Sequence, residues 1–223
     1  MLETPPNAEL MRSLGRLVRG LSALFWGLPL TLLLSVRTAL TDFLRPLGLF
    51  PALMTTGMLF YGLTQLAHFQ RQERVWLQAL ERAKLLAVAN IGLAPFLYWW
   101  NKAPQVDLFA AMVGLMMACG LGFLFFLNQV LYRLAALLPD EALRVETRFF
   151  TALNRALLLV IFGVVLLYNI LAALDFFPLL LAVVENSRQL LVVFLVLLPV
   201  SMTMTLIWKT KEVILTGVFG RDH

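Results

Sequence analysis

Charged residues divide this chain into six long uncharged windows. Each window is dominated by aliphatic and aromatic side chains, and the windows are 17 to 25 residues long. About 20 apolar residues let a helix cross the bilayer core, whereas the strands of a membrane barrel are shorter and alternate apolar with polar positions. The pattern therefore predicts an all-α integral membrane protein with six transmembrane helices. The six windows are 20–36, 46–70, 85–101, 108–132, 156–174 and 189–208.

The first window resembles a secretory signal peptide, because Arg12, Arg16 and Arg19 precede it. At 17 residues it is longer than the usual apolar stretch of such a peptide, and Arg37 follows where a small-residue cleavage site is expected. We therefore interpret it as a transmembrane helix. A re-entrant segment is the alternative, because the window is short and Pro29 lies at its centre.

Composition agrees with a lipid environment. Of 223 residues, 61% are hydrophobic and 14% are charged, and the mean hydropathy is +0.84. Soluble domains have an apolar share nearer 45–50%, so an ordinary soluble domain is excluded. A single cysteine excludes a disulfide scaffold, and the abundance of large apolar residues excludes a disordered chain. We treat residues 1–223 as one transmembrane domain.

Lysine and arginine are distributed unequally between the two sides that six spans would create. One side, which includes both termini, carries 14 of these residues and the other carries 4. Loops rich in Lys and Arg stay in the cytoplasm, so we expect both termini there, in a multi-pass protein of the cell inner membrane. The net charge of +5 then reflects topology and an anionic lipid surface, and it gives no reason to expect a nucleic-acid partner.

A weak internal repeat relates three pairs of windows. Residues 79–83 and 152–156 match as Ala-Leu-x-Arg-Ala, and a shorter Leu-x-Arg ends at Arg16. Each outer turn contains an Asp followed by two large apolar residues. These are Asp42, Asp107 and Asp175. The pattern is consistent with three helical hairpins, although Leu-rich chains with charges at both interfaces also produce such matches.

Two connections, 71–84 and 133–155, are predicted to be cytoplasmic and helical. One interpretation is that they extend the membrane helices. The other is that Trp76, Phe149 and Phe150 form a docking surface for a partner, because they are large apolar groups near a membrane boundary. The apolar stretch at 177–184 either lies in the outer interface or begins a long helix at Pro178.

No catalytic constellation is present in the sequence. The only histidines are His68 and His223, and Cys119 lies alone in an apolar stretch. Nucleotide-binding glycine motifs, a hydrolase serine elbow and paired metal-ligating histidines are all missing. We therefore predict no catalytic residue, no metal site and no cofactor, and a protein that is not an enzyme.

Neutral polar residues lie toward the predicted cytoplasmic ends of the spans. The candidate polar cluster is Thr64, Gln65, His68, Asn90, Asn128 and Gln129. These residues either form hydrogen bonds between helices or line a polar vestibule. No charged residue lies within a window, which is unfavourable for an ion-coupled transporter.

Small residues recur every four residues in the fourth window, at Gly114, Ala118 and Gly122. Such a face lets two helices approach closely, either inside the bundle or against a neighbouring subunit.

These observations favour a structural or accessory subunit of a larger membrane assembly. The expected partners are the lipid bilayer and other membrane protein subunits, identical or different. The alternative is a channel or transporter for a small or amphipathic solute. A cavity lined by Gln65, Asn90 and Asn128 would favour transport, whereas pairing of these groups in a solid core would favour the subunit.

Overall fold

A computed structural model describes residues 8–41, 46–69, 73–138, 140–173 and 178–219. Side chains are described at these positions apart from 8–10, 40, 165, 168–169, 171–195 and 217–219. The described chain folds into six α-helices, which confirms the prediction of an all-helical protein with six helices. They are α1 Ala8–Leu40, α2 Phe50–Leu66, α3 Arg74–Lys102, α4 Asp107–Leu137, α5 Glu141–Ala173 and α6 Pro178–Phe219.

Three helices are long and apolar enough to cross a membrane. Among the described residues the apolar stretches are Met11–Ala39 in α1, Asp107–Leu137 in α4 and Glu141–Val164 in α5. The α2 helix has only 17 residues. The coarse prediction of a protein with membrane-spanning helices is supported, and the full set of six spans remains a prediction.

The helices run past several of the predicted window boundaries. The α3 helix is continuous from Arg74 through residue 85. The α4 helix continues to Leu137, and α5 starts after Asp140, whose carboxylate Oδ1 accepts a 3.0 Å hydrogen bond from the backbone N–H of Leu143. The α6 helix begins at Pro178, which agrees with the interpretation that the apolar stretch at 177–184 begins a long helix.

Each helix packs against its neighbours in sequence, and α6 also packs against α1, so the helices form a closed ring. Further contacts join α1 to α3 and α4 to α6. The core is formed by large apolar side chains from all six helices. Those that are fully buried include Leu24, Leu63, Trp76, Leu127 and Ile207.

Glycines allow α1 and α2 to approach closely. A Cβ atom added at Gly20 would lie 2.8 Å from the carbonyl oxygen of Gly62 and would also overlap Leu66. A Cβ atom added at Gly62 would lie 2.8 Å from Leu24 Cγ. Real Cβ atoms do not come this close to other atoms, so glycine is required at this crossing.

The repeat motif is only partly visible. Arg16, Arg82 and Arg155 all lie on odd-numbered helices and are exposed. Asp107 begins α4, whereas Asp42 and Asp175 lie outside the described residues. These placements leave the threefold hairpin arrangement a prediction.

Candidate functional site

A buried cluster of three polar side chains joins α4, α5 and α6. The side-chain amide nitrogens of Asn128 and Asn154 both donate to the hydroxyl oxygen of Thr203, over 2.9 and 3.0 Å. The Thr203 hydroxyl in turn donates to the carbonyl oxygen of Pro199 over 2.7 Å. All three side chains are fully buried. We call these residues the Asn–Thr cluster.

The helices place this cluster through ordinary helical spacing. Thr203 lies one turn after Pro199 in α6, which brings its hydroxyl to the Pro199 carbonyl. Asn154 belongs to a buried face of α5 that also carries Thr147, Thr151 and Leu158, at intervals of three and four residues. Asn128 lies on the buried face of α4.

The surrounding carbonyls determine which way the two amides point. Asn128 also donates to the carbonyl oxygen of Leu124 over 2.8 Å, and Asn154 donates to that of Pro199 over 3.3 Å. Carbonyl oxygens are acceptors only, so each amide must turn its nitrogen toward them. The Oδ1 atoms of both asparagines are then buried without a partner in the described part of the chain.

Unpaired buried oxygens extend along α5. The hydroxyl oxygens of Thr147 and Thr151 are buried and have no hydrogen-bond partner among the described residues. Together with the two asparagine oxygens they give the α5 interface a polar character. A buried polar atom without a partner costs roughly 1–3 kcal/mol, so these four atoms are an energetic weakness of this interface.

The structure does not assemble the predicted polar cluster as a unit. Thr64 and Asn90 donate to carbonyls of their own helices, at Tyr61 over 2.7 Å and at Leu86 over 3.0 Å. The His68 ring nitrogen Nδ1 lies 2.8 Å from the Thr64 carbonyl oxygen. Gln65 lies beside Gly20 of α1, and Gln129 is half-buried in α4. Of the six residues, only Asn128 forms a hydrogen bond to another helix among the described contacts.

Of the three residues of the candidate docking surface, only Phe149 is exposed. Trp76 is completely buried in the core, because the first turns of α3 pack inside the bundle through Trp76, Leu80 and Ala83. The expectation that Trp76 faces a partner is therefore corrected. Phe150 is half-buried against the core, whereas Phe149 is 66% exposed.

The candidate packing face on α4 is mostly open. Gly114 and Ala118 are exposed, and a Cβ atom at Gly114 would meet nothing within 4 Å. Gly122 lies against Leu86 of α3, at 3.1 Å from the added Cβ atom. The closest helix packing uses Gly20 and Gly62 instead. Gly20 and Gly27 are seven residues apart and therefore lie on one face of α1. This spacing is the sequence pattern that indicates the close approach of α1 to α2.

Two shallow cavities lie along the seam between α1 and α6. One, of about 180 Å³, is lined by Met11, Leu14, Gly15, Val18, Ile214 and Leu215. The other, of about 330 Å³, is lined by Phe25, Ser201, Met204, Thr205 and Trp208. Both linings are mainly apolar, and neither includes a residue of the predicted polar cluster.

Among the residues whose side chains are described, no charged residue is buried. Lys209 of α6 forms an ion pair with Glu146 of α5, between exposed parts of both side chains. Partial burial lowers the pKa of Lys84 in α3, and the charge of Glu81 partly opposes this effect. No group of three or more metal-ligating side chains occurs in the part of the chain that the structure describes.

Comparisons with known proteins add no relationship to this picture. No protein-family model matches the chain, no curated protein matches it, and no solved structure matches it. The functional argument therefore depends on the geometry of the helices and their side chains.

Proposed function

We propose that this chain is a non-catalytic membrane protein that serves as a structural or accessory subunit of a larger membrane assembly. The observation that carries the proposal is the Asn–Thr cluster. Both asparagine amides donate to the Thr203 hydroxyl, which joins three helices, and no residue of the cluster lines either of the two cavities described above. Hydrogen bonds of this kind hold helices together in an apolar solvent, which is the property that a scaffold requires.

An exposed apolar stripe on α5 supports a protein partner. Val145, Phe149 and Leu153 recur every four residues and are all exposed. Arg148 and Arg155 flank the stripe and are also exposed. Such charges are costly within hydrocarbon, so they favour a position of the stripe at the membrane boundary. An exposed apolar stripe at that boundary favours a second protein that covers it.

Purification of the tagged chain from its native host in a mild detergent tests this proposal. We expect a stoichiometric membrane protein partner, and we expect Phe149→Ala to reduce its recovery several-fold. The matched control is Phe162→Ala, which alters another exposed phenylalanine on the same helix and should leave recovery unchanged. Recovery of the chain alone, or equal effects of the two variants, would contradict the proposal.

We further infer that all six helices cross the inner membrane as three hairpins, with both termini in the cytoplasm. The 14-to-4 distribution of Lys and Arg supports this topology. In a Cys119→Ala background, a cysteine in place of Lys102 should react with an impermeant thiol reagent added outside the cell. A cysteine in place of Arg74 should react only after the membrane is opened, and the reverse pattern would overturn the orientation.

One observation favours transport as a second candidate function. The Oδ1 atoms of Asn128 and Asn154 are unpaired next to Pro199, a combination that also suits a pathway for a polar solute. In the Cys119→Ala background, rapid labelling of Asn128→Cys by a water-soluble reagent would indicate an aqueous pathway. We expect no labelling, because a structural cluster excludes water.

A further inference from the structure

Two arginines and two phenylalanines form a continuous row across α3, α4 and α5. The guanidinium carbon of Arg82 lies 5.6 Å from the ring centre of Phe126. The rings of Phe126 and Phe125 are 5.4 Å apart and nearly perpendicular. The guanidinium carbon of Arg155 lies 5.0 Å from the ring centre of Phe125. We call these four residues the Arg–Phe row.

Each arginine of the row keeps its N–H groups for other partners. A cation–π contact is an attraction between the charge and the ring, so it leaves the N–H donors of the guanidinium available for hydrogen bonds. Arg82 and Arg155 are both exposed, and neither forms an ion pair with another described residue. Each therefore presents positioned donors suited to a phosphate group.

An exposed leucine follows each arginine by about one helical turn. Leu85 follows Arg82 and is 71% exposed, and Leu159 follows Arg155 and is 65% exposed. Arg155 immediately precedes the predicted membrane window 156–174, and Arg82 lies three residues before the window 85–101. A cationic group with an apolar surface directly beyond it matches a phospholipid, whose charged headgroup lies above its acyl chains.

We propose that the Arg–Phe row binds the headgroup of an anionic phospholipid, whose acyl chains lie along Leu85 and Leu159. The oxygen atoms of the headgroup accept hydrogen bonds from the guanidinium groups, and the two phenylalanine rings hold those groups in position. The proposal depends on the membrane location of the protein but not on its role as a subunit, so either idea can fail alone.

Native mass spectrometry of the purified, delipidated full chain tests the proposal. The probes are phosphatidylglycerol and phosphatidylcholine with identical acyl chains, titrated separately in one detergent. We expect tighter binding of phosphatidylglycerol. A basic residue near an anionic lipid surface contributes about 1 kcal/mol, so Arg82→Gln and Arg155→Gln should each weaken binding by about fivefold, and the double variant by about 25-fold.

The matched control removes two other arginines from the same helices. Arg74 of α3 and Arg148 of α5 are exposed and have no aromatic contact among the described residues. Arg74→Gln combined with Arg148→Gln gives the same net charge and should change the affinity less than twofold. A loss equal to that of the Arg–Phe row variants would show that only total charge matters, and it would overturn the proposal.

Two further measurements keep the result decisive. Inorganic phosphate at 10-fold excess over phosphatidylglycerol should not displace the lipid, and complete displacement would indicate a phosphate site instead.

Phe125→Leu combined with Phe126→Leu keeps both charges and should weaken binding by about threefold, because the guanidinium groups lose the rings that position them. Unchanged binding in this variant would contradict the role of the rings. Circular dichroism checks that each variant remains helical.

Discussion

The α1–α2 interface and the α4–α5–α6 interface hold helices together by opposite means. At the first, Gly20 and Gly62 carry no side chain of their own, which lets the two backbones come close together. At the second, Asn128, Asn154 and Thr203 join three helices through side-chain hydrogen bonds. The first interface depends on glycines that lack a Cβ atom, and the second depends on polar side chains that form hydrogen bonds.

This difference determines which changes each interface tolerates. In lipid, helices gain little from burying apolar surface against one another, so close packing and hydrogen bonding provide most of the attraction. The glycine interface should be sensitive to any added methyl group. The polar interface should accept changes of size more readily than the loss of a donor or acceptor, because a lost partner leaves a buried polar atom unpaired.

The largest effect is expected for Gly20→Ala. The new methyl group would overlap Leu66 and would approach the Gly62 carbonyl to 2.8 Å, so the backbones must separate. Overpacking of this kind costs about 1–3 kcal/mol. The melting temperature of the purified protein in detergent measures the loss.

Gly15→Ala is the matched control for that prediction. Gly15 lies on the same helix, and a Cβ atom there meets nothing within 4 Å. Alanine is a better helix former than glycine by up to about 1 kcal/mol, so this variant should be neutral or stabilising. Equal losses at both glycines would show that α1 does not depend on close approach to α2.

Thr203→Val should have an intermediate effect. The change keeps the shape of the side chain but removes the acceptor for both asparagine amides and the donor to Pro199. Hydrogen bonds between membrane helices contribute about 0.6 kcal/mol on average, so we expect a loss of about 1–2 kcal/mol in thermal or denaturant unfolding.

The control for Thr203 lies two residues further along the same helix. Thr205 is exposed, and its hydroxyl donates to the Ser201 carbonyl of its own helix over 3.0 Å. Thr205→Val should therefore leave the unfolding free energy within about 0.5 kcal/mol of the parent. If the two threonine variants behave alike, the Asn–Thr cluster does not stabilise the interface.

The smallest effect is expected for the ion pair between Glu146 and Lys209, which joins α5 to α6. Both side chains are partly exposed, and exposed pairs contribute about 0.2–1 kcal/mol that salt reduces. A double-mutant cycle with Glu146→Gln and Lys209→Met measures the coupling directly. A coupling energy above 2 kcal/mol would show that charge, rather than the Asn–Thr cluster, holds α5 and α6 together.

The helices were the most predictable part of the molecule. Apolar windows bounded by charges predict six of them, because a charged group in hydrocarbon is costly whatever the fold. Their ends were less predictable. The α3 helix starts at Arg74, within the connection 71–84 that the sequence predicts to be helical, because a helix does not have to end where the membrane does. The pattern of apolar and charged residues indicates which segments suit an apolar environment. Capping and packing determine where each helix ends.

The site was less predictable, because it depends on which helices meet. Asn128 was identified as a candidate, but Asn154 falls in the predicted connection 133–155, beside Arg155. Its partner Thr203 is 49 residues away, and no local pattern joins them. Trp76 was a candidate for the docking surface but is buried in the core. The sequence does not separate these two positions, because a large apolar residue near a predicted boundary suits both.

The position of Thr203 also bears on the order in which the protein is made. Asn128 and Asn154 are synthesised before their shared partner, because α6 follows α4 and α5 along the chain. Until Thr203 has been made, neither amide can donate to its hydroxyl, so the Asn–Thr cluster forms only after α6 has joined the other helices. A chain that is cut short before residue 203 therefore lacks the hydroxyl that joins α4 and α5 to α6.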